Sequence, residues 1–462
     1  MSQQIEQIVS DQELSEFVAT AAMRFGVPGA AVGIWHRGRE IFAGHGVTST
    51  ANPLPVTPDT VFSIASTSKT FTSTLVMRLV AEGKIELDAP VQRYVPEFQL
   101  SDPDHAARIT VMNLLNHTAG LDWNLIDTDE GGDSLAGFVA KMTELTLIAE
   151  PGARASYSQA GYNLLGRVAE KVTGLSFEEA VATLVLEPAG LADTVYGLDE
   201  VMIRRFAVGH NVGADGQTRL AIPWKAYPAG ARGNNPGGGI SSTIADLLAW
   251  SRFQLGDGGG VLPAEVLHRM QEPTIELRAS SLGDAIGICW FIKDIAGVRT
   301  ISHGGSGNGQ FCELVIVPEH DFAVVSLANQ GPDGYAFDQA VATWALEHYL
   351  GLVEAEPEPV AYDDARAREV VGRYDNDAMH LDIAADGVRL TLAVEIKPEI
   401  RAAAGVEVPP DLPPAEWGFL AASGDEYIVT EGGLKGQRGY FGRDENGSIV
   451  SIDLAGRPFR RV

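Results

Sequence analysis

Ser66-Thr67-Ser68-Lys69 puts a hydroxyl and an amine three residues apart, the spacing that stacks two side chains on one helix face. The tetrad follows an apolar run (Val61, Phe62, Ile64) and opens a segment in which Phe71, Leu75 and Leu79 recur every four positions, a helical period. Ser66 therefore falls at or near a helix N-terminus. Free backbone N–H groups and the positive end of the helix dipole favour a developing oxyanion there. A serine beside a desolvated, neutral lysine is an activated nucleophile. On its own the tetrad does not separate a nucleophile from a chance spacing, so its weight depends on what else the chain carries.

Two further clusters bear chemistry. Tyr157-Ser158-Gln159 sits in a small-residue loop just before a helix pattern made by Leu164, Leu165, Val168 and Val172. A tyrosine held beside an ammonium can have its pKa lowered and serve as a general base; the alternative is a tyrosine that packs at a helix start. His303-Gly304-Gly305-Ser306 precedes a strand beginning at Phe311. Glycines there let the backbone approach a ligand closely, and a backbone N–H on such a strand could be an oxyanion donor; the alternative is a turn histidine that binds nothing.

The elements that must position these groups can be read from pattern. Residues 1–25 form an amphipathic helix with Ile5, Ile8, Leu14, Phe17 and Val18 on its apolar side. A strand (Ala30 to Trp35), a turn at Arg37-Gly38 and a second strand (Glu40 to Ala43) make a hairpin. The Ser66 helix ends near Gly83, a plausible residue just past a helix C-terminus. A mostly helical middle is broken by loops at 121–134, 150–156 and 211–239. Strand patterns return from Ile286 to Ala328, with a hairpin turn at Pro318-Glu319-His320-Asp321, and a last helix covers about 335–350. Strands at both ends with helices between indicate an α/β or α+β unit whose sheet uses both ends of that stretch. Val353 to Val360 is acidic and proline-rich, which suits an extended linker. Beyond it short alternating runs at 380–383, 388–394, 417–421, 427–430, 439–441 and 449–454, with turns at Asp386-Gly387 and Asn446-Gly447, predict a small antiparallel barrel or sandwich.

Composition bounds the function classes. The chain has 462 residues and a net charge of -27, which argues against nucleic acid and anionic membrane surfaces as partners. Two cysteines, Cys289 and Cys312, make no disulfide framework and read as buried thiols in apolar strands. Met1 to Ser10 has no basic and apolar leader pattern and no run is long enough to span a bilayer, so a cytoplasmic location is expected. The histidines show no H-E-x-x-H and the cysteines no C-x-x-C, so neither a metal site nor a cofactor is expected. There is no G-x-S-x-G elbow and no Walker A motif. The acidic run Asp127 to Asp133 reads as solvated surface or a lid, and His117 as a residue that closes a loop.

Taken in order, the three clusters resemble the serine hydrolase family of class C β-lactamases, DD-peptidases, D-aminopeptidases and family VIII carboxylesterases. That family runs S-x-x-K, Y-x-N, then K-T-G or H-x-G; this chain reads Ser66/Lys69, Tyr157/Gln159, His303/Gly305. The stretches Leu114 to Leu121 and Pro236 to Trp250 look like family landmarks, and the resemblance covers roughly residues 10–350. It implies a β-lactamase/transpeptidase-like domain at 1–352, with an antiparallel sheet flanked by helices and a helical subdomain. A linker at 353–360 and a lipocalin-like β-barrel at 361–462 would follow. It also implies roles. Ser66 would form a covalent acyl-enzyme, and Lys69 and Tyr157 would share the proton. The backbone N–H groups of Ser66 and Ser306 would form the oxyanion hole. His303 would stand in for the family lysine. Gln159, Gly304, Gly305, Trp123, Trp224 and Tyr227 would contact substrate.

Gln159 and His303 depart from the family's asparagine and lysine. Both departures turn the expectation from β-lactam hydrolysis towards a small ester, amide or peptide substrate. A second reading keeps the chemistry and changes the acceptor. Penicillin-binding-protein-type thioesterases have a similar layout and cyclise a peptidyl group, and a barrel arginine (Arg457, Arg460 or Arg461) could hold the peptide carboxylate. A third reading is a binding or sensor protein without catalysis, which has no need of Ser66, Lys69 and Tyr157 together.

Overall fold

The computed structural model describes residues 9–125, 135–213, 216–221, 231–403 and 412–462. The N-terminal helix α1 (Asp11–Arg24) starts at Ser10, whose side chain accepts from the Glu13 N–H while Glu13 accepts from the Ser10 N–H in return. It buries Leu14, Val18, Ala21 and Ala22. Ile5 and Ile8 of the predicted helix lie outside the described residues. The expected hairpin is present as β1 (Gly29–His36) and β2 (Arg39–Gly46). Arg37 and Gly38 between them both take positive φ (48° and 84°), the two-residue turn that matches strand twist.

Six more strands complete one antiparallel sheet: β3 (Ile275–Ser280), β4 (Gly283–Ile286), β5 (Phe291–Ile295), β6 (Val298–Gly307), β7 (Gln310–Val317) and β8 (Phe322–Ala328). Their spatial order is β2-β1-β8-β7-β6-β5-β4-β3. The sheet therefore joins early and late chain, as the strand pattern predicted. β3 precedes the expected start at Ile286. It is an edge strand whose exposed Glu276 and Arg278 interrupt the apolar signal. Gly209–Val212, Thr218–Ala221 and Gln330–Gly331 form a small sheet inside and beyond the stretch read as loop. Strands of two to four residues carry too few positions to show a period.

Helix α2 (Ser68–Ala81) is buried almost throughout, between the sheet and the helical subdomain. Its hydroxyls are satisfied internally. Thr72 Oγ1 donates to Pro236 O at 2.6 Å, Ser73 bonds the Tyr162 hydroxyl at 3.0 Å, and Thr70 Oγ1 accepts from Trp250 Nε1 at 3.1 Å. Burying so many polar groups is tolerable only because each has a partner. α3 (Gln159–Thr173) begins at Ser158, which caps Gly161, and ends at Gly174 in the left-handed region (φ 73°). α4 (Ile244–Leu255) packs Trp250 on Phe71 at 4.2 Å, and α5 (Gly334–Leu350) covers the other face of the sheet with α1. Cys289 and Cys312 are buried free thiols.

Residues 351–363 carry no helix or strand. The last eight strands form a closed antiparallel barrel: β9 (Gly372–Asp375), β10 (Met379–Ala385), β11 (Leu390–Ile396), β12 (Leu412–Phe419), β13 (Glu426–Val429), β14 (Arg438–Arg443), β15 (Ile449–Leu454) and β16 (Arg457–Arg461). The sequence pattern missed β9 and β16, whose pairing (Tyr374 with Arg461, Asp375 with Arg460) closes the barrel. Both strands are short and rich in arginine and aspartate. The interior is filled by Tyr374, Trp417, Tyr427, Phe441 and aliphatic neighbours.

The barrel docks on the sheet domain through polar contacts. Arg154 pairs with Asp453 at 2.5 Å, Arg460 donates to Leu147 O at 2.8 Å, and Thr146 Oγ1 donates to Asp377 Oδ1 at 3.0 Å. Asp122, 4% exposed, accepts from the Asp377 N–H at 3.4 Å. Burial, reinforced by the Asp377 carboxyl, raises the Asp122 pKa to about 6. A carboxyl with a raised folded-state pKa contributes stability that is complete below its unfolded value and lost as pH climbs through the folded one. Docking should thus weaken between about pH 4 and 7, by on the order of 1–3 kcal/mol. Thermal melts across that range should show the trend in the native chain, and Asp122→Asn should make it less steep, with the part due to Glu313 and Asp338 remaining.

Candidate active site

Ser66 sits in a single 3-10 turn (Ala65–Thr67) that runs directly into α2. Its predicted place at a helix start is borne out. Ala65 takes φ 41°, a left-handed conformation that costs a residue with a side chain of the order of 1–2 kcal/mol. Strand β6 presses against this turn. A Cβ added to Gly305 would lie 2.0 Å from Ile64 O and 3.1 Å from Ser66 N, so only glycine permits the approach. Thr67 Oγ1 donates to His303 O at 3.3 Å and ties the same strand to the turn. β5 pairs with β6 only as far as Ser302, which leaves the His303–Gly307 edge without a strand on that side. Ser66 and Ser306 thereby line the same cavity.

Lys69 is fully buried. Its Nζ donates to Gln159 Oε1 at 2.6 Å and to Gly237 O at 2.7 Å, and lies 3.4 Å from Ser66 Oγ. No carboxylate appears among these partners. Burial lowers the Lys69 pKa to about 7, helped slightly by the Arg457 charge. The amine is therefore available in its neutral form near neutral pH.

Tyr157 stands over Lys69, with its ring centroid 4.9 Å from Nζ. Its N–H donates to Gly456 O of the barrel at 3.0 Å, and the His117 ring packs against its own, tilted by 35° with centroids 4.5 Å apart. His117 Nδ1 accepts from the Ser158 N–H at 3.1 Å, so the expected loop-closing histidine also holds Tyr157 in place. Burial raises the Tyr157 phenol above its usual pKa, and the Ser66 hydroxyl opposes this without reversing it. The lowered tyrosine pKa anticipated from the sequence is thus corrected. Desolvation of the phenolate outweighs the nearby cation, and lysine is the group brought to neutrality.

His303 is fully buried, and its Nδ1 lies 2.8 Å from Gly304 O. Burial, with the Lys69 charge, lowers its pKa to about 3, so the ring is neutral and supplies no positive charge. Gln159 reaches Lys69 despite its extra methylene. Its Nε2 donates to Asn163 Oδ1 at 3.3 Å and to Asn234 O at 3.2 Å, which occupies both amide hydrogens. Trp123 is half-buried and its carbonyl accepts from the Gln159 N–H at 2.7 Å. Trp224, Tyr227 and the acidic run Asp127 to Asp133 lie outside the described residues.

Sequence reasoning could not place Arg457. The turn Ala455-Gly456 takes φ 53° and 72° between β15 and β16, a tight hairpin whose tip enters the site. It sets the partly buried Arg457 guanidinium 5.5 Å from the Tyr157 ring and 5.7 Å from the Trp123 ring. The only sequence signal was that two-residue turn; nothing in it pointed towards Tyr157. Gly237, whose carbonyl holds Lys69, lay within a recognised landmark but carried no side-chain cue. Ser66, Tyr157, His303, Gly304, Gly305, Ser306 and Arg457 line one cavity of about 290 Å3. Among the described residues no group of three or more His, Cys, Asp or Glu side chains is arranged to hold a metal.

The chain is similar to known proteins. A family model described as Beta-lactamase matches residues 11–347. Penicillin-binding protein 4 of Amycolatopsis lactamdurans is 31% identical over 66% of this chain and 81% of its own length. Among solved structures, SurE with D-Leu superposes over 98% of this chain and 99% of its own at 23% identity, with a TM-score of 0.74. A class C β-lactamase from Rhodobacter sphaeroides covers 72% of this chain and all of its own (100%) at 24% identity, with a TM-score of 0.59. The first likeness in structure takes in nearly the whole chain, the barrel included. By its sequence match and by the antiparallel sheet that carries the site, the chain belongs to the β-lactamase family of serine hydrolases.

Proposed function

We propose that this protein hydrolyses a small ester, amide or peptide through a covalent acyl-enzyme on Ser66. The observation that carries this reading is the environment of Lys69. A neutral amine has two hydrogens and one lone pair. Gln159 Oε1 and Gly237 O take the hydrogens, at 2.6 and 2.7 Å, which leaves the lone pair for the Ser66 hydroxyl 3.4 Å away. Lys69 would accept the Ser66 proton as Oγ attacks the substrate carbonyl. The electron pair displaced onto oxygen would meet the N–H groups of Ser66 and Ser306. Tyr157, kept as a phenol by burial, would protonate the leaving group and recover a proton from the Lys69 ammonium. Water would then attack the ester by the same steps in reverse. His303 would position Tyr157 as a neutral ring rather than bind an anion.

The recognition groups narrow the substrate. Both amide hydrogens of Gln159 are engaged within the protein, so it offers no free donor to a substrate acylamide. Positive charge comes instead from Arg457. A partly buried guanidinium whose buried Nε has no partner among the described residues supports a substrate that carries a carboxylate or a comparable acceptor beside the scissile bond. This specifically favours the second reading, transfer of a peptidyl group from a thioester to an amine, in which Arg457 holds the carboxylate of the peptide.

Intact-protein mass spectrometry after brief mixing with p-nitrophenyl butyrate should show a mass gain of one acyl group, absent in Ser66→Ala. Turnover in that variant above a few percent would sink the assignment, because loss of such a nucleophile costs about 10⁴-fold or more. The acylation rate should rise with pH through about 7 and then level, since only neutral Lys69 accepts the proton and its folded-state pKa is about 7. A rate flat from pH 5 to 9 would remove Lys69 as the base. Arg457→Ala should lower kcat/KM by roughly 10–100-fold for a peptide ester with a free carboxylate relative to its carboxamide; an equal loss for both would assign Arg457 to packing alone. Product analysis with a peptidyl thioester would separate hydrolysis from cyclisation.

A further inference from the structure

The cavity at Ser66 does not end at strand β6. Side chains alternate across a strand, so Gly305 faces Ser66 while Gly304 faces the α5 side. Gly304 stands in register with Glu313 of β7. On that side the lining continues through Glu313, Lys293, Tyr335 and Asp338, with Val315, Ala342 and Leu346 as apolar walls. The barrel closes the chamber through Gln437, which donates to the Tyr335 hydroxyl at 3.3 Å and accepts from Ser281 Oγ at 2.6 Å.

Two carboxyls in this chamber make no ion pair among the described residues. Asp338 is 1% exposed; its Oδ1 accepts from Ser326 Oγ at 2.5 Å, and its Oδ2 is buried without a partner. Glu313 lies over Gly304, where an added Cβ would come within 2.7 Å of Oε2, and it makes no hydrogen bond or ion pair among the described residues. Lys293 acts on Glu313 from nearby, but its Nζ is held by Glu354 at 2.5 Å, and Arg438 also reaches Glu354 at 3.5 Å. Burial raises Glu313 to about 7 against the pull of Lys293, and burial with the Glu313 charge raises Asp338 well above its usual range. An entering cation would relieve both.

We propose that this chamber binds a primary ammonium group on a short aliphatic chain, with Glu313 and Asp338 Oδ2 as its acceptors. An ammonium offers three hydrogens to just such acceptors, and the apolar walls suit its methylenes. The described residues present no third ligand that would favour a metal ion. The chain enters past the open edge of β6 from Ser66. That last step rests on the Ser66 reading; the ammonium site itself does not.

Calorimetric titration of the full-length protein with n-butylammonium, beside n-butanol, tests the site without catalysis. The amine should bind roughly tenfold or more tighter than the alcohol, and Glu313→Gln should remove that preference. Asp338→Asn should do the same, which covers a failure of the first variant to fold. Equal binding of amine and alcohol, no binding of the amine, or a folded Glu313→Gln that keeps the preference would each overturn the proposal. Hydrolysis of p-nitrophenyl 6-aminohexanoate against the hexanoate then locates the source. A preference for the amino ester that Glu313→Gln abolishes places the ammonium on the acyl chain. Calorimetric binding without that preference places it on a free amine. If the Ser66 chemistry fails, neither ester reacts while the titration still reads out.

Discussion

The burial of one lysine amine organises the site. Lys69 is enclosed by α2, α3 and the turn at Gly237 with two neutral carbonyl oxygens as partners and no carboxylate. A carboxylate would have kept the ammonium charged; carbonyls solvate its hydrogens without doing so. Much of the surrounding structure follows from keeping this pocket dry. Tyr157 and Tyr162 cover Nζ with their rings at 4.9 and 5.4 Å, and the hydroxyls of α2 are turned to partners of their own.

The same dryness redistributes charge. A histidine rather than a lysine at 303 supplies no cation near neutral pH, because burial holds the ring neutral. The barrel restores a cation through Arg457, delivered by a hairpin tip whose backbone also accepts the Tyr157 N–H. The barrel thus lines the same cavity as Ser66 and Tyr157. Its core is packed with aromatic side chains, so its contribution is made at its rim. Polar docking, with the Arg154–Asp453 pair and the Asp122–Asp377 contact, sets the rim against the loops that carry Tyr157.

Local order in the chain determined a good deal. The S-x-x-K spacing on a helical period placed Ser66 and Lys69 one turn apart, because three residues along a helix always bring side chains together. The β1–β2 hairpin, the α2 stop at Gly83 and the run Ile449–Leu454 were all readable from alternation, turn chemistry and a left-handed glycine. The order of the three motifs was enough to point to the family.

Tertiary structure decided what depends on solvation and on contacts distant in sequence. Whether Lys69 or Tyr157 loses its proton more readily is set by burial, which spacing does not encode, and burial reversed the direction expected for the tyrosine. Arg457 meets Tyr157 across 300 residues of chain because a closed barrel fixes where its last hairpin points. The carboxyls of Glu313 and Asp338 share a chamber because one sheet register and one helix face converge there. Sequence determines which groups can do chemistry; only the packed structure determines which of them water cannot reach, and so what charge they carry.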